Sequence, residues 1–267
     1  MSEPTLDHYD DIHEAVSKMS LNKRPPYSAF AYYYDLLGWS EFTEIVYPYL
    51  EQFIRRLPEK PEAFLDLACG TGTLAYRLSE QKIKVLGIDI SPEMIEVASS
   101  KSHDNGCPPE FQIGDMTALQ LNSKFDMAGC FFDSLNHLRS AEEIKKTFRR
   151  AHKHLYKGGW FMFDMVTRLG LENWKDYYNS SRDSFYVVQE ARFSPSIDRA
   201  EVKIEAFIND GRNGTVHIRE IFKEISIAVD KACRYLNDAG FTKIIIEPFP
   251  PAGSVEKADR IMFYARK

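Results

Sequence analysis

The chain has 267 residues, 44% of them hydrophobic, enough for one large core with a small accessory element. Its net charge of −5, from 34 Lys and Arg against 39 Asp and Glu, argues against a nucleic-acid-binding face, which would be basic. No run approaches the roughly 18 apolar residues of a membrane span, and Cys69, Cys107, Cys130 and Cys233 form no C-x-x-C pair, so reduced thiols in the cytoplasm are expected rather than a disulfide framework or a zinc site.

Residues 1–26 are polar and end in Arg24-Pro25-Pro26; they read as a flexible arm with one helical turn around Ile12–Met19. Apolar residues recur at helical spacing from Ser28 to Leu37 and again from Glu41 to Leu57. Residues 63–165 then alternate. The pattern predicts strands at 63–67, 84–88, 110–113, 125–131 and 159–165, and helices at 72–80, 92–101 and 141–156. Ser91-Pro92-Glu93-Met94 is a helix start, with a serine cap, proline at the first helical position and an acid in the first turn. Beyond Asp164 the period changes to two. Ser184–Phe193, Ala200–Ile208 and Thr215–Ile225 alternate apolar and polar residues between turn sequences, which predicts an antiparallel meander with one wet face. A helix at 229–239 closed by Gly240, then strands at 242–247 and 259–266, complete the chain. The expectation is an α/β fold: a doubly wound, mostly parallel sheet in one domain over 27–267, with N-terminal helices and a β-meander inserted at about 170–226.

The most informative stretch is Phe64-Leu-Asp-Leu-Ala-Cys-Gly-Thr-Gly-Thr-Leu-Ala75, a buried strand, a glycine turn and a helix start. Gly70 and Gly72 let the backbone turn tightly near a ligand, and Ala75 allows close helix-on-strand packing. Asp89 closes the next strand about 20 residues on, where a Rossmann-like nucleotide site places its ribose acid. Dinucleotides seat a pyrophosphate on the helix start, and the Asp66 carboxylate just ahead of the glycines would repel one. It suits a ligand with a positive group and no phosphate, such as S-adenosylmethionine.

Asp66-Leu-Ala-Cys-Gly-Thr-Gly, Gly87-Ile-Asp-Ile-Ser-Pro-Glu-Met94, Gly114-Asp-Met116 and Lys157-Gly-Gly-Trp160 resemble the successive motifs of class I S-adenosylmethionine-dependent methyltransferases. Cys130-Phe-Phe-Asp-Ser-Leu-Asn-His-Leu138 is similar to the small-molecule group that includes the sugar amine N,N-dimethyltransferases of macrolide biosynthesis. The resemblance runs from about Tyr27 to the C-terminus and implies methyl transfer to an amine or hydroxyl of a small molecule.

Roles follow from charge and reach. Asp66, with the backbone around Ala68, Cys69 and Gly70, is expected to hold the methionine part and its ammonium. Asp89 is expected to accept from both ribose hydroxyls, Ile90 and Met94 to pack on the adenine, and Asp115 and the Met116 N–H to meet its polar edge, with Phe131 counted among the cofactor contacts. Asp133 and Asp164 also lie at strand ends, where they read equally as helix caps. His137 is the candidate base, since its pKa lies near neutrality, and the resemblance places a matching histidine beside the acceptor; Ser134 and Asn136, in the same segment, are further candidate acceptor contacts. It also implies that Tyr27 and Tyr34, in the family's Tyr-x-x-x-x-x-x-Tyr-Asp pattern, close over the cofactor, where an aromatic face attracts a sulfonium. No metal is expected. A homodimer pairing through the meander is compatible with the pattern. Rival readings are a non-catalytic cofactor-binding protein, a nicotinamide-dependent oxidoreductase, and a metal-assisted O-methyltransferase using Asp133, Asp164 and Asn136.

Overall fold

A computed structural model describes residues 27–101, 107–181, 184–209, 214–250 and 253–267; the arm expected over 1–26 and its helical turn lie outside them. In chain order the elements are α1 (Ser28–Ala31), α2 (Phe42–Arg55), β1 (Ala63–Leu67), α3 (Thr73–Glu80), β2 (Lys84–Asp89), α4 (Pro92–Ser100), β3 (Glu110–Ile113), β4 (Phe125–Cys130), α5 (Ala141–His154) and β5 (Leu155–Val166). There follow α6 (Arg168–Asn173), β6 (Tyr177–Ser181), β7 (Phe185–Ser194), β8 (Arg199–Asn209), β9 (Thr215–Ile225), α7 (Val229–Ala239), β10 (Lys243–Pro248) and β11 (Arg260–Arg266).

The main sheet has seven strands in the order β10-β11-β5-β4-β1-β2-β3. Strands β1 to β5 pair in parallel, and β11 runs antiparallel to both neighbours. Strand order reverses between β1 and β4, so a crevice opens outside their carboxyl ends. Side chains alternate along each strand. Leu65, Leu67, Ala128, Phe161 and Phe163 therefore share a core with Phe148 of α5 and Leu236 of α7, while Phe64, Met127 and Met162 pack with Leu50 of α2 and Leu74 of α3. The rings of Phe163 and Phe263 stack at 4.7 Å across β5 and β11; each such buried ring contributes about 1.5–3 kcal/mol. By the same alternation Asp66 lies on the face of Phe64, at the lip of β1.

The meander forms a separate four-stranded antiparallel sheet, β6-β7-β8-β9. Its inner face, with Val187, Val202, Ile204, Ile218 and Phe222, packs against Ala29, Phe30, Tyr33 and Leu37. Asn136 ties it to the main sheet. Its side-chain amide donates to the carbonyls of Val166 and Ile225, both at 2.9 Å, its carbonyl oxygen accepts the Val166 N–H, and the Ile225 N–H reaches its backbone carbonyl.

The structure departs from the sequence expectations in three places. The helix expected over Ser28–Leu37 ends at Ala31 and continues as turns, because Phe30, Tyr33 and Leu37 are drawn into the meander core while Tyr32 turns out to Glu96. Strand β6 is an exposed edge without clean alternation, so it left no period to read. Helix α6 spans six residues around Gly170 and is held by the Thr167 hydroxyl accepting the Gly170 N–H at 3.1 Å. No helix among the described residues is long and apolar enough to cross a membrane.

Candidate active site

One cavity of about 1420 Å³ opens over the carboxyl ends of β1, β2 and β4 and runs under α1 to the inner face of the meander. That exceeds the roughly 300–1,000 Å³ of a single small-ligand pocket, so it has room for two ligands side by side.

The half over β1 and β2 is built from local sequence. After β1 the chain makes left-handed turns at Ala68 (φ 56°), Gly70 (φ 54°) and Gly72 (φ 76°) before entering α3. The two glycines do different work. A Cβ on Gly70 would meet nothing within 4 Å, so its bare face looks into open space, whereas a Cβ on Gly72 would meet the Phe111 ring at 2.5 Å. Gly72 is thus a packing position and does not line the cavity, while Asp66, Ala68, Cys69, Gly70, Asp89, Ile90, Met94, Asp115, Met116 and Phe131 do.

Asp89 organises the loop. Its Oδ2 accepts the Gly70 N–H and its Oδ1 the Ser91 N–H, each at 2.9 Å. Burial raises its pKa, and those N–H groups oppose the rise. Ser91 caps α4 by accepting the Met94 N–H at 3.2 Å, which fixes Met94 in the floor, while Ile90 stays 68% exposed as an apolar wall. Asp115 holds its own turn through the Thr117 N–H at 2.7 Å.

Asp66 is the exception among these acids. It is 2% exposed, and its Oδ2 is buried without a hydrogen-bond partner. Burial, then the nearby Asp89, raises its pKa to about 8. The fixed negative charge expected from the sequence is therefore a conditional one: with no cation beside it, the carboxyl holds its proton at neutral pH. A buried, unpartnered carboxyl oxygen is costly, and a bound ammonium relieves that cost with a charge-assisted hydrogen bond.

The other half of the cavity is assembled from distant segments. Phe132 (φ 57°) and Asp133 (φ 48°) adopt left-handed conformations after β4, held by Asp164 at the end of β5, which accepts both their N–H groups. Strain of this kind gathers at functional sites. Arg260, opening β11, pairs with Asp133 at 2.7 Å and with Asp164, and lies 4.9 Å from the centroid of Phe42, which stacks on Phe132 at 4.4 Å. Burial depresses Arg260 but the two carboxylates outweigh it and hold the guanidinium charged.

His137 follows in the same loop. Its Nε2 is 3.2 Å from the Tyr27 hydroxyl, 3.9 Å from Asp133 Oδ2 and 3.7 Å from Glu224 Oε1. Burial lowers its pKa, Asp133 opposes, and Arg260 adds to the lowering, so the ring is neutral at neutral pH with a lone pair to offer. Tyr27 is placed from above. Its N–H and that of Phe30 donate to the Glu220 carboxylate at 2.6 and 3.1 Å. Its ring packs on Phe222 and meets Tyr34 edge-on. Asp35 closes the same segment onto the glycine loop through the Thr71 hydroxyl and Lys101.

Of the further acceptor contacts expected, Ser134 lines the cavity with its hydroxyl turned to the Phe131 carbonyl, and Asn136 is fully spent in its clamp. Asp164 is likewise consumed by Arg260 and backbone N–H groups, so the trio Asp133, Asp164 and Asn136 offers no metal site. Sequence reasoning missed Glu220, Glu224 and Arg260. A signal for the glutamates exists: both fall on the inward register of β9, where Val216, Ile218 and Phe222 alternate, and an acid in that row breaks the pattern.

Residues 64–159 match a family model described as a methyltransferase domain. A protein of Geobacillus sp. (strain WCH70) named as a methyltransferase is 29% identical over 251 residues, covering 90% of this chain and 99% of that one. The dTDP-4-amino-2,3,4,6-tetradeoxy-D-glucose N,N-dimethyltransferase of Saccharopolyspora spinosa is 32% identical over 111 residues, 40% of this chain and 42% of that one. Among solved structures, an S-adenosylmethionine-dependent methyltransferase from Clostridium acetobutylicum ATCC 824 superposes with a TM-score of 0.70 at 25% identity, over 91% of this chain and 99% of that one.

Proposed function

Because this chain belongs to the class I S-adenosylmethionine-dependent methyltransferases, we propose that its acceptor is an amine or hydroxyl of a small molecule, held in the half of the cavity between His137 and the meander. S-adenosylmethionine supplies a methyl carbon on a positively charged sulfur, which departs as a neutral thioether. The residues present fit it. The orphaned Asp66 oxygen suits the ammonium, the bare face of Gly70 admits a close ligand, and Asp89, held by backbone N–H groups of the loop, is the acid placed for the ribose hydroxyls. Ile90 and Met94 offer apolar contact for the adenine, with Asp115, Met116 and Phe131 lining the cavity beside them.

Displacement at carbon needs no covalent enzyme intermediate, so the protein's work is alignment and proton removal. His137 is the base in this reading, neutral and adjacent to the acceptor space, with the Tyr27 hydroxyl orienting its Nε2. The observation that carries the proposal is the continuity of one cavity from Asp66 to His137. The relative from Saccharopolyspora spinosa, named for an amino sugar, supports a small acceptor, and the net charge of −5 supports one that is not a nucleic acid. The reading extends to a cytoplasmic location, supported by four free cysteines, and to a homodimer formed through the exposed face carrying Tyr178, Tyr186 and Phe207; sedimentation at micromolar concentration checks the latter.

The test is a transfer assay with methyl-labelled S-adenosylmethionine and a metabolite extract split by size. Label is expected in molecules small enough to pass a dialysis membrane, and much less of it with His137→Ala. Label confined to protein or nucleic acid would overturn the acceptor class.

A further inference from the structure

Glu224 is 2% exposed yet lines the cavity beside His137. Its position is fixed from the next residue, since Asn136 grips both the N–H and the carbonyl of Ile225. On one side it faces His137 Nε2 at 3.7 Å, and the same nitrogen lies 3.9 Å from Asp133 Oδ2. The nearby guanidinium, Arg260, is already shared between Asp133 and Asp164. Glu224 Oε2 has no hydrogen-bond partner among the described residues. Burial, with Asp133 next, raises the Glu224 pKa well above the carboxylate range despite Arg260, so in the empty site this carboxyl is neutral.

A buried acid with an open oxygen, facing a ligand cavity and lacking a cation of its own, is poised for a cationic ligand group. A hydroxyl acceptor brings no charge to offset the loss of the proton. We infer that Glu224, with Asp133 beside it, is the acceptor-binding group, taking a primary or secondary amine that arrives as an ammonium ion. This rests on the methyl-transfer reading above and goes on to name the residue that seats the acceptor. The proton balance is simple. The ammonium displaces the Glu224 proton to solvent and forms an ion pair with its carboxylate. His137 Nε2 then takes one N–H proton, which leaves a nitrogen lone pair free for attack on the methyl carbon, and afterwards passes that proton to the Glu224 carboxylate 3.7 Å away. The product amine departs carrying one proton as an ammonium, and Glu224 is again neutral. His137 and the Tyr27 hydroxyl flank the nitrogen; Asp164 and Arg260 lie behind Asp133.

Calorimetry on protein saturated with S-adenosylhomocysteine, with cyclohexylamine and cyclohexanol as matched probes, tests this at pH 7 in two buffers of different ionisation enthalpy. The amine is expected to bind about tenfold or more tighter than the alcohol, with release of a proton, as a buried charged hydrogen bond would give. Glu224→Gln, which keeps size but cannot ionise, is expected to abolish both the preference for the amine and the proton release. Glu224→Asp is expected to restore part of each. Equal affinity for the two probes, no binding of the amine, or an amine preference that survives Glu224→Gln overturns the inference. Failure of S-adenosylhomocysteine itself to bind would instead remove the methyl-transfer reading.

Discussion

The two halves of the cavity are built by opposite strategies. The cofactor half comes from consecutive turns after β1, β2 and β3, and its key contacts are backbone N–H groups gathered by one carboxylate, Asp89. The acceptor half brings together Tyr27, Asp133, His137, Glu224 and Arg260 from four separate segments, and its contacts run between side chains. Local backbone geometry suits a ligand that is always the same, because glycine turns and strand ends fix it within a few residues. A side-chain network hung on a lid and an accessory sheet can change its occupant without disturbing the first half. Each half holds a buried acid with an unpartnered oxygen, Asp66 in one and Glu224 in the other, so each is completed by a cation rather than by the protein itself.

This contrast can be broken at its seams, and the largest effect belongs to the network. Arg260→Met leaves Asp133 and Asp164 without their shared counter-charge, and removing one member of a buried ion pair typically costs about 3–5 kcal/mol. Urea unfolding at pH 7 is expected to show a loss of that order, and a change under about 1 kcal/mol would mean the pairing is incidental. His137→Ala should leave S-adenosylmethionine affinity intact while lowering turnover by about 10²–10⁴, the usual contribution of a positioned base. In the wild type, with cofactor and acceptor both saturating, the acid limb of the kcat profile should fall below pH 6.5, since burial lowers the imidazole pKa and protonation removes the base form. An acid limb above 6.5 would assign it to another group.

The paired glycines separate packing from binding within the cofactor half. Gly72→Ala forces a Cβ onto Phe111 in a left-handed backbone, which should cost about 2–3 kcal/mol of stability. Gly70→Ala has room for its Cβ and should cost only about 1–2 kcal/mol, yet it should weaken cofactor binding because that Cβ enters the cavity. If thermal melts rank the two the other way, the division of labour is wrong. The smallest effect is expected at the joint between the halves. Glu220→Gln removes the charge that receives the Tyr27 and Phe30 N–H groups and should weaken cofactor binding a few-fold, by about 1 kcal/mol.

How much of this could be read from sequence follows the same division. Strands, helix starts and the meander were legible because burial imposes a period of two or 3.6 on contiguous residues, and the Ser91-Pro92 cap follows from chemistry within one turn. The glycine loop and Asp89 were legible for the same reason. Arg260 and Glu224 were not, since nothing local marks partners such as Asp133, Asp164 and His137 that lie on distant segments; only the acidic breaks in the inward register of β9 hinted at one. The Asn136 amide has chemistry that fits an acceptor contact and a clamp between β5 and β9 equally, and the fold of distant strands decides for the clamp. The charge state of Asp66 was also out of reach, because it depends on how completely the lip of β1 is covered.

The central claim is that Asp66 meets the cationic end of S-adenosylmethionine. Its carboxyl, raised to about 8 in the empty pocket, must lose its proton to do so, so affinity should rise with pH up to about 8 and binding at pH 7 should release close to one proton. Calorimetric titration of S-adenosylmethionine in buffers of differing ionisation heat measures that number directly. Release near one that disappears in Asp66→Asn, together with a roughly 10–100-fold loss of affinity, is the predicted result; zero release in the wild type, or unchanged binding in Asp66→Asn, would contradict it.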